Sequence, residues 1–323
     1  MLSVIVVNWN GKALLADCLA SLRSQTCPDF EVIVVDNGST DGSSQFVRQA
    51  FPDFRLIQLK ENLGFAGGNN AGIREARGEW VALINNDAVA EPTWLECLSR
   101  AVKGDERVGL AASRVVLTSG ALDSAGDGMT IAGVPYKRGH GNTPDGIFLQ
   151  PSEVFGASGC GVLLRRSMLD RIGLLDEDFF CIYEDGDLNF RARLAGFQCI
   201  YVPEAEIIHR LHGTLGRLSK SYVFYGQRNM EYLYFKNMPG RLFWRYLPVH
   251  LLSNILGFGY FILRGRPLQF IRAKLAFVLD VPTVLRKRRA VQKLRTVDER
   301  TIESTLDRHW LQPRLAGKIV KSV

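Results

Sequence analysis

The chain has 323 residues, 46% of them hydrophobic and 23% charged, which is the balance of an ordinary globular protein with room for one large core and a second, smaller unit. Its six cysteines (18, 27, 97, 160, 181 and 199) form no Cys-x-x-Cys pair and no Cys/His ligand spacing. That argues against a disulfide framework and a zinc finger and suits a reducing cytosol. The formal net charge is +7, but residues 241–295 hold twelve Lys or Arg against the single acid Asp280, a surplus of eleven that leaves the remainder four charges negative. The positive field therefore belongs to a C-terminal unit and not to the main body.

The first residues, MLSVIVVNWNGK, carry no basic stretch before the apolar run and no small-residue cleavage site after it, so they read as a first strand rather than a signal peptide. KALLADCLASLRSQ follows as an amphipathic helix with Leu14, Leu15, Cys18, Leu19 and Leu22 on one face. EVIVVDN, RLIQL and WVALIN continue as strands, separated by the helical patterns SSQFVRQAF and NNAGIREARG. Near-continuous apolar strands alternating with helices predict an open α/β fold whose parallel sheet is covered on both faces, with ligands bound beyond the carboxyl ends of the strands. Residues 105–160, rich in Gly and Pro, read as irregular strands and loops around a site. Beyond Ser158 come a strand in GVLLRR, a helix in RSMLDRIG, a helix in EDGDLNFRARLAG that Gly196 can end in a left-handed cap, and a strand in QCIYVP. We divide the chain into residues 1–218, the α/β unit, and 219–323, a basic and mostly helical region.

Acids concentrate where such a fold would bind. In CIYEDGDLNFRARLAG, Glu184, Asp185 and Asp187 follow the aromatics Phe179, Phe180 and Tyr183. Asp185 heads the face that continues through Leu188, Ala192 and Ala195, whereas Asp187 lies four residues before Arg191 and suits an intrahelical ion pair. One acid at a helix start is explained by the helix dipole. Two adjacent acids behind a hydrophobic wall fit a general base, Asp185, with Glu184 orienting it and the aromatics shaping a pocket around it. Asp87 in WVALINNDA could hold a divalent cation, and His209 in EAEIIHRLHGT could be a second ligand, with His212 as its rival. Asp36 could accept bonds from a base or ribose, or could equally close an Asx-turn within DNGSTDG. ENLGFAGGNNAG could bring backbone amides to a pyrophosphate, although it is neither G-x-G-x-x-G nor a Walker loop.

In order, VIVVNWNG, VVDNGSTDGS, ENLGFAGGNNAGI, ALINND, GASGCGVLLRR, GLLDEDFFCIYEDGDLNFRARLAGF and YVPEAEIIH resemble the family 2 glycosyltransferases of the GT-A fold, especially bacterial rhamnosyltransferase-like members, over roughly residues 1–240. The resemblance implies a Rossmann-like nucleotide-diphospho-sugar transferase domain and inverting transfer from a nucleoside-diphosphate sugar, UDP- or dTDP-linked. It implies that Asp36 contacts the nucleobase and that Asp185 is the base of a Glu-Asp motif. Asp87 matches the last residue of an Asp-x-Asp-like element for Mg²⁺ or Mn²⁺, here reduced to Asn-Asn-Asp, and His209 completes the metal site. Asn8, Asn37, Gly64, Phe65, Asn69 and Asn86 fall in the matching donor-side motifs, and Gly156, Ala157 and Ser158 match a loop near the acceptor. A catalytically degenerate sugar-nucleotide or glycan-binding module is the alternative.

YLPVHLLSNILGFGYFIL, residues 246–263, is short for a membrane span and contains Pro248, His250, Ser253 and Asn254. It reads as a buried or interfacial helix, with RGR at 264–266 and RKRR at 286–289 placed to meet an anionic membrane surface. Nucleic acid is not an expected partner, since no aromatic-interleaved motif accompanies the charge. The expected location is cytoplasmic, peripheral on the inner face of the cell membrane, with a glycan or lipid-linked acceptor.

Overall fold

The computed structural model describes residues 1–210 and 218–311. The first stretch alternates β1 (Leu2–Asn8), α1 (Lys12–Arg23), β2 (Phe30–Asp36), α2 (Ser43–Ala50), β3 (Arg55–Gln58), α3 (Gly64–Glu75) and β4 (Trp80–Asn85). There follow β5 (Ala88–Ala90), α4 (Trp94–Ala101), β6 (Val108–Leu117), β7 (Leu122–Ala125), β8 (Asp127–Met129), β9 (Pro135–Lys137), β10 (Ser152–Val154), β11 (Gly161–Arg165), α5 (Arg166–Ile172), α6 (Glu184–Leu194) and β12 (Gln198–His209). Four helices close the chain: α7 (Lys220–Asn237), α8 (Gly240–Leu263), α9 (Pro267–Lys293) and α10 (Glu299–Thr305).

The main sheet runs β10-β12-β6-β11-β4-β1-β2-β3, with β5 and β7 pairing off this path. β3, β2, β1 and β4 are mutually parallel, as are β6 and β12, and β11 is inserted antiparallel between β4 and β6. Val4, Ile5 and Val6 of β1 are all buried because helices cover both faces, so no polar alternation is visible in the sequence. Helix α3 lies unusually close to the sheet: a side chain at Gly72 would meet Ile5 at 2.5 Å. Its glycines, expected as a loop toward pyrophosphate, are therefore the first turns of a helix pressed on β1 and β2.

Two expectations change in the middle of the chain. Residues 108–117, read as part of an irregular region, form a ten-residue buried strand. Its Gly109, Ala111, Ala112 and Ser113 lack the β-branched density that marks a strand, but neighbours on both sides bury them. The strand expected to end at Pro203 continues to His209 through a register shift between Val202 and Glu206, which is where a proline is tolerated. Gly196, at φ +85°, follows the end of α6 as expected.

The C-terminal helices share a core with α6: Phe179, Phe190, Leu194, Tyr232, Tyr234, Phe243 and Phe277 pack together. The chain also returns to the sheet domain, with the Ile131 amide donating to the Asp307 carbonyl at 2.9 Å and the Asp307 amide to the Met129 carbonyl at 2.8 Å. Helix α8, with 24 residues, is long and apolar enough to cross a membrane by length and composition alone. One face is nevertheless bound to the protein, where His250 places Nε2 2.9 Å from Glu231 and Nδ1 2.8 Å from the Ala132 carbonyl. On the other face, every exposed residue from Pro248 to Leu263 is uncharged and apolar.

Candidate active site

The carboxyl ends of the parallel strands gather the polar residues on one edge. The β1–β2 and β1–β4 registers set Asn8 beside Asp36 and Val7 beside Asn85. Asn8 is fully buried and accepts from the Asn86 amide at 2.8 Å. Asp36 accepts from the Ser39 amide at 3.1 Å and from the Ser44 hydroxyl, so the Asx-turn is formed, and its carboxylate sits at the strand end. Asn37, expected on the donor, spends both amide hydrogens on the Asn62 side chain (3.0 Å) and the Gly64 carbonyl (2.9 Å), and accepts from the Leu63 amide at 2.9 Å. Asn69, also expected there, is buried and donates to the Phe65 carbonyl at 2.9 Å. Both fasten the start of α3 with these bonds.

Asp87 and His209 are brought together by pairing of β12 with β5, which sets His209 opposite Ala88. His209 Nε2 lies 3.2 Å from Asp87 Oδ1 and its Nδ1 lies 2.9 Å from Asp123 Oδ2. Burial alone would lower the proton affinity of this imidazole, but Cys160, Asp123 and Asp87 around it drive it far upward. Asp123 is in turn held well below the usual carboxylate range, against its burial, by His140, His209 and Lys137. The sequence reading missed Asp123.

A hard cation with oxygen or nitrogen ligands at about 2.1 Å has neighbouring ligands roughly 3 Å apart, and the Asp87–His209 spacing fits that edge. His209 would have to release its Nε2 proton to a bulk base as the cation enters. Among the described residues no group of three or more His, Cys, Asp and Glu is arranged to hold a metal. The remaining ligands would be phosphate oxygens and water, the habit of Mg²⁺. His212 lies outside the described residues.

The acceptor-side loop reaches the candidate base directly. Gly156 exchanges two backbone bonds with Asp127, at 2.8 and 3.1 Å, and the Ala157 carbonyl accepts from Asn189 at 2.9 Å. Ser158 is buried beneath the turn that ends at Cys160. The Gly159 amide donates to Asp185 Oδ2 at 3.1 Å, and the ring of Phe65 packs beside Gly159. Asp185 Oδ1 accepts from the Gly186 amide at 2.7 Å, and the residue is half-buried. Glu184 does not orient it, since no hydrogen bond joins the two. Two backbone amides do so, and the Glu184 side chain turns into the protein with Oε2 buried and unpartnered. Burial, then the Asp185 charge, push Glu184 above the ordinary carboxyl range, and the same two causes raise Asp127, an acid that the sequence reading also missed.

The remaining acid behaves as expected and its neighbours do not. Asp187 is fully buried and pairs with Arg191 at 2.9 Å, and it also meets Lys236 at 2.7 Å. Phe179, expected to shape a pocket, is instead a core residue packed edge-on against Tyr232 at 5.8 Å. Phe180 lies over Gly64 and stacks on Tyr225 at 5.2 Å. Phe180, Ile182 and Tyr183 take positive φ values of 62°, 70° and 73°, a reversal the aromatic spacing does not reveal.

A parallel Rossmann-like half with an inserted antiparallel strand defines the GT-A fold. The chain belongs to glycosyl transferase family 2, whose family model matches residues 3–173. It is 30% identical over 246 residues to the N-acetylglucosaminyl-diphospho-decaprenol L-rhamnosyltransferase of Mycobacterium tuberculosis (strain ATCC 25618 / H37Rv), covering 69% of this chain and 80% of that one. Among solved structures, S. aureus TarS 1-349 in complex with UDP superposes with a TM-score of 0.60 at 20% identity, covering 90% of this chain and 87% of that one. The mannosyltransferase PcManGT from Pyrobaculum calidifontis, in complex with GDP-Man and Mn2+, superposes with a TM-score of 0.54 at 18% identity, covering 100% and 88%.

Proposed function

We propose that the protein is an inverting transferase that moves a sugar, rhamnose on the reading we favour, from a UDP- or dTDP-linked donor to a glycan or lipid-linked glycan acceptor in cell-surface polysaccharide synthesis. One observation carries this reading. Gly159 donates to Asp185 at 3.1 Å while its neighbour Cys160 accepts from the Asn85 amide at 3.2 Å, so the base and the Asn85–Asp87 segment flank one short link. The rhamnosyltransferase relative favours the sugar and the lipid-linked acceptor.

In this reaction the acceptor hydroxyl gives its proton to Asp185 as its oxygen attacks the anomeric carbon. The bond from that carbon to the diphosphate oxygen breaks on the opposite side. The Gly159 and Gly186 amides keep the carboxylate turned toward the cleft, and Gly156 to Ser158 shape the acceptor side. Asp36 and the strand ends at Asn8 and Asn86 receive the nucleoside, with Gly64 and Phe65 beside the sugar. Asp87 and His209 would hold a Mg²⁺ or Mn²⁺ ion, which supplies Lewis-acid neutralisation of charge on the departing diphosphate. Residues 1–218 carry this chemistry, and the basic region 219–323 meets an anionic membrane surface on the cytoplasmic side, where a lipid-linked acceptor would be presented.

The test is calorimetric titration with a panel of nucleoside-diphosphate sugars, with and without Mn²⁺, on the native protein and Asp185→Asn. Cation-dependent binding of one donor by both proteins is expected, with release of nucleoside diphosphate falling roughly 10²–10⁴-fold in the variant. A folded protein that binds no donor sinks the reading.

A further inference from the structure

The segment that delivers Asp185 to the cleft has an unfavourable backbone shape, and one side chain of α7 binds three of its carbonyls. Phe180, Ile182 and Tyr183 all have positive φ, and for a β-branched residue such as Ile182 that is a genuine outlier. Strain of this kind persists only where the surroundings over-determine it. Here the surroundings are Asn229, fully buried, whose amide nitrogen lies 2.9 Å from the Phe179 carbonyl and 2.8 Å from each of the Cys181 and Ile182 carbonyls. Its own oxygen accepts from Arg228 Nε at 3.1 Å, which fixes which way the amide faces. Arg228 adds a bond from Nη2 to the Asp178 carbonyl at 2.6 Å.

The left-handed turns are what make three carbonyls converge on one donor. They also set the exit of the chain into α6, since Tyr183 is the residue that caps the helix and Asp185 is its second residue. We propose that Asn229 is a positioning residue for the transfer reaction: it clamps residues 179–182 in the strained form that presents Asp185 to the acceptor. This rests on the reading of Asp185 as the base. Asn229 bonds to the 179–182 carbonyls and reaches the donor side through Phe180, which lies over Gly64, so its loss should lower turnover more than donor affinity.

The experiment is amide hydrogen exchange read by mass spectrometry on the full chain, native, Asn229→Ala and Asn229→Asp. It is paired with donor affinity by calorimetry and the rate of transfer to water from the donor that binds. In Asn229→Ala, exchange across 178–187 should rise about tenfold or more while β1 and β4 stay protected. Turnover should fall about tenfold or more, with a smaller loss of donor affinity. Asn229→Asp should be worse than Asn229→Ala despite its matching size, because it turns an oxygen on three carbonyls; a packing role gives the reverse order. Arg228→Ala, at a half-buried position, should shift exchange and turnover the same way by less, and serves if the Asn229 variants do not fold. Unchanged exchange in 178–187, a rise spread evenly along α7, or native turnover with the loop released would each overturn the proposal. A native protein that binds donor but releases no product would count against Asp185 as the base, whereas the exchange comparison would still decide the clamp.

Discussion

His209 and Asp123 face each other across 2.9 Å, with Asp123 on Nδ1 and Asp87 on Nε2 of the same imidazole. A carboxylate on the far nitrogen of a metal-binding histidine fixes its tautomer and ring orientation, and removing such a partner typically costs 10- to 100-fold, roughly, in metal affinity. Asp123→Asn should therefore weaken Mn²⁺ binding by about that factor while leaving cation-free nucleotide binding intact. Titration of Mn²⁺ followed by electron paramagnetic resonance reads this directly. An unchanged affinity would mean that Asp123 serves only Lys137 and His140.

Gly64 meets the loop before α6 at close quarters. A side chain there would fall 2.3 Å from the Phe180 carbonyl oxygen, and the residue's φ is +73°. Gly64→Ala is therefore penalised twice, by conformation and by contact, and should cost about 1–3 kcal/mol in denaturant unfolding. The Ala66 amide that donates to the Phe180 carbonyl at 3.2 Å should also lose exchange protection. A variant as stable as the native protein would show that loop 178–183 can move away from α3 at no cost.

The parts of this molecule legible in the sequence are those governed by neighbours along the chain. β1, β2 and β4 announce themselves because both faces are buried and their residues are nearly all apolar, and the acids Asp36 and Asp87 follow directly at or just past their ends. The Asp187–Arg191 pair needs only helical spacing. What stayed hidden depends on sheet register and tertiary packing. Asp123 joins His209 across 86 positions through pairing of β7 and β12 with β6, and Asn229 joins the Phe179 carbonyl across 50. The roles expected of Glu184 and Phe179 failed for a related reason: both side chains are buried by tertiary packing that residue spacing does not carry.

Helices α8 and α9 expose an apolar surface that no described residue covers. Leu252, Ile255 and Leu263 of α8 and Leu275, Val278 and Leu279 of α9 are among its exposed side chains, Leu263 to 87% and Leu279 to 81%. Exposed Arg264, Arg272, Arg286 and Arg289 lie along the same two helices and their connection. Such a surface suits the interface of an anionic bilayer. The full chain should float with vesicles containing anionic lipid and bind neutral vesicles more weakly, and Ile255→Glu with Leu263→Glu should release it. Recovery of the native chain only as a dimer, dispersed by the same pair of substitutions without any vesicle binding, would assign this surface to a second copy.

Acid should loosen the C-terminal helices. Burial alone would raise Glu231, but His250 and Lys274 hold it down at about 2, and Asp176 is likewise driven below the usual carboxylate range by Lys236 and Lys287. In the unfolded chain these carboxyls titrate at about 4. The native state thus binds fewer protons than the unfolded state, so this stability is full above about pH 5 and is lost as pH falls through 4 toward the folded values. The contribution of these two carboxyls to the melting temperature should be level above about pH 5 and decline below it. Glu231→Gln should melt lower at neutral pH, because it leaves Lys274 and His250 without their carboxylate, and should lose less on acidification. Equal acid slopes for the native and Glu231→Gln proteins would show that Glu231 ionises alike in both states.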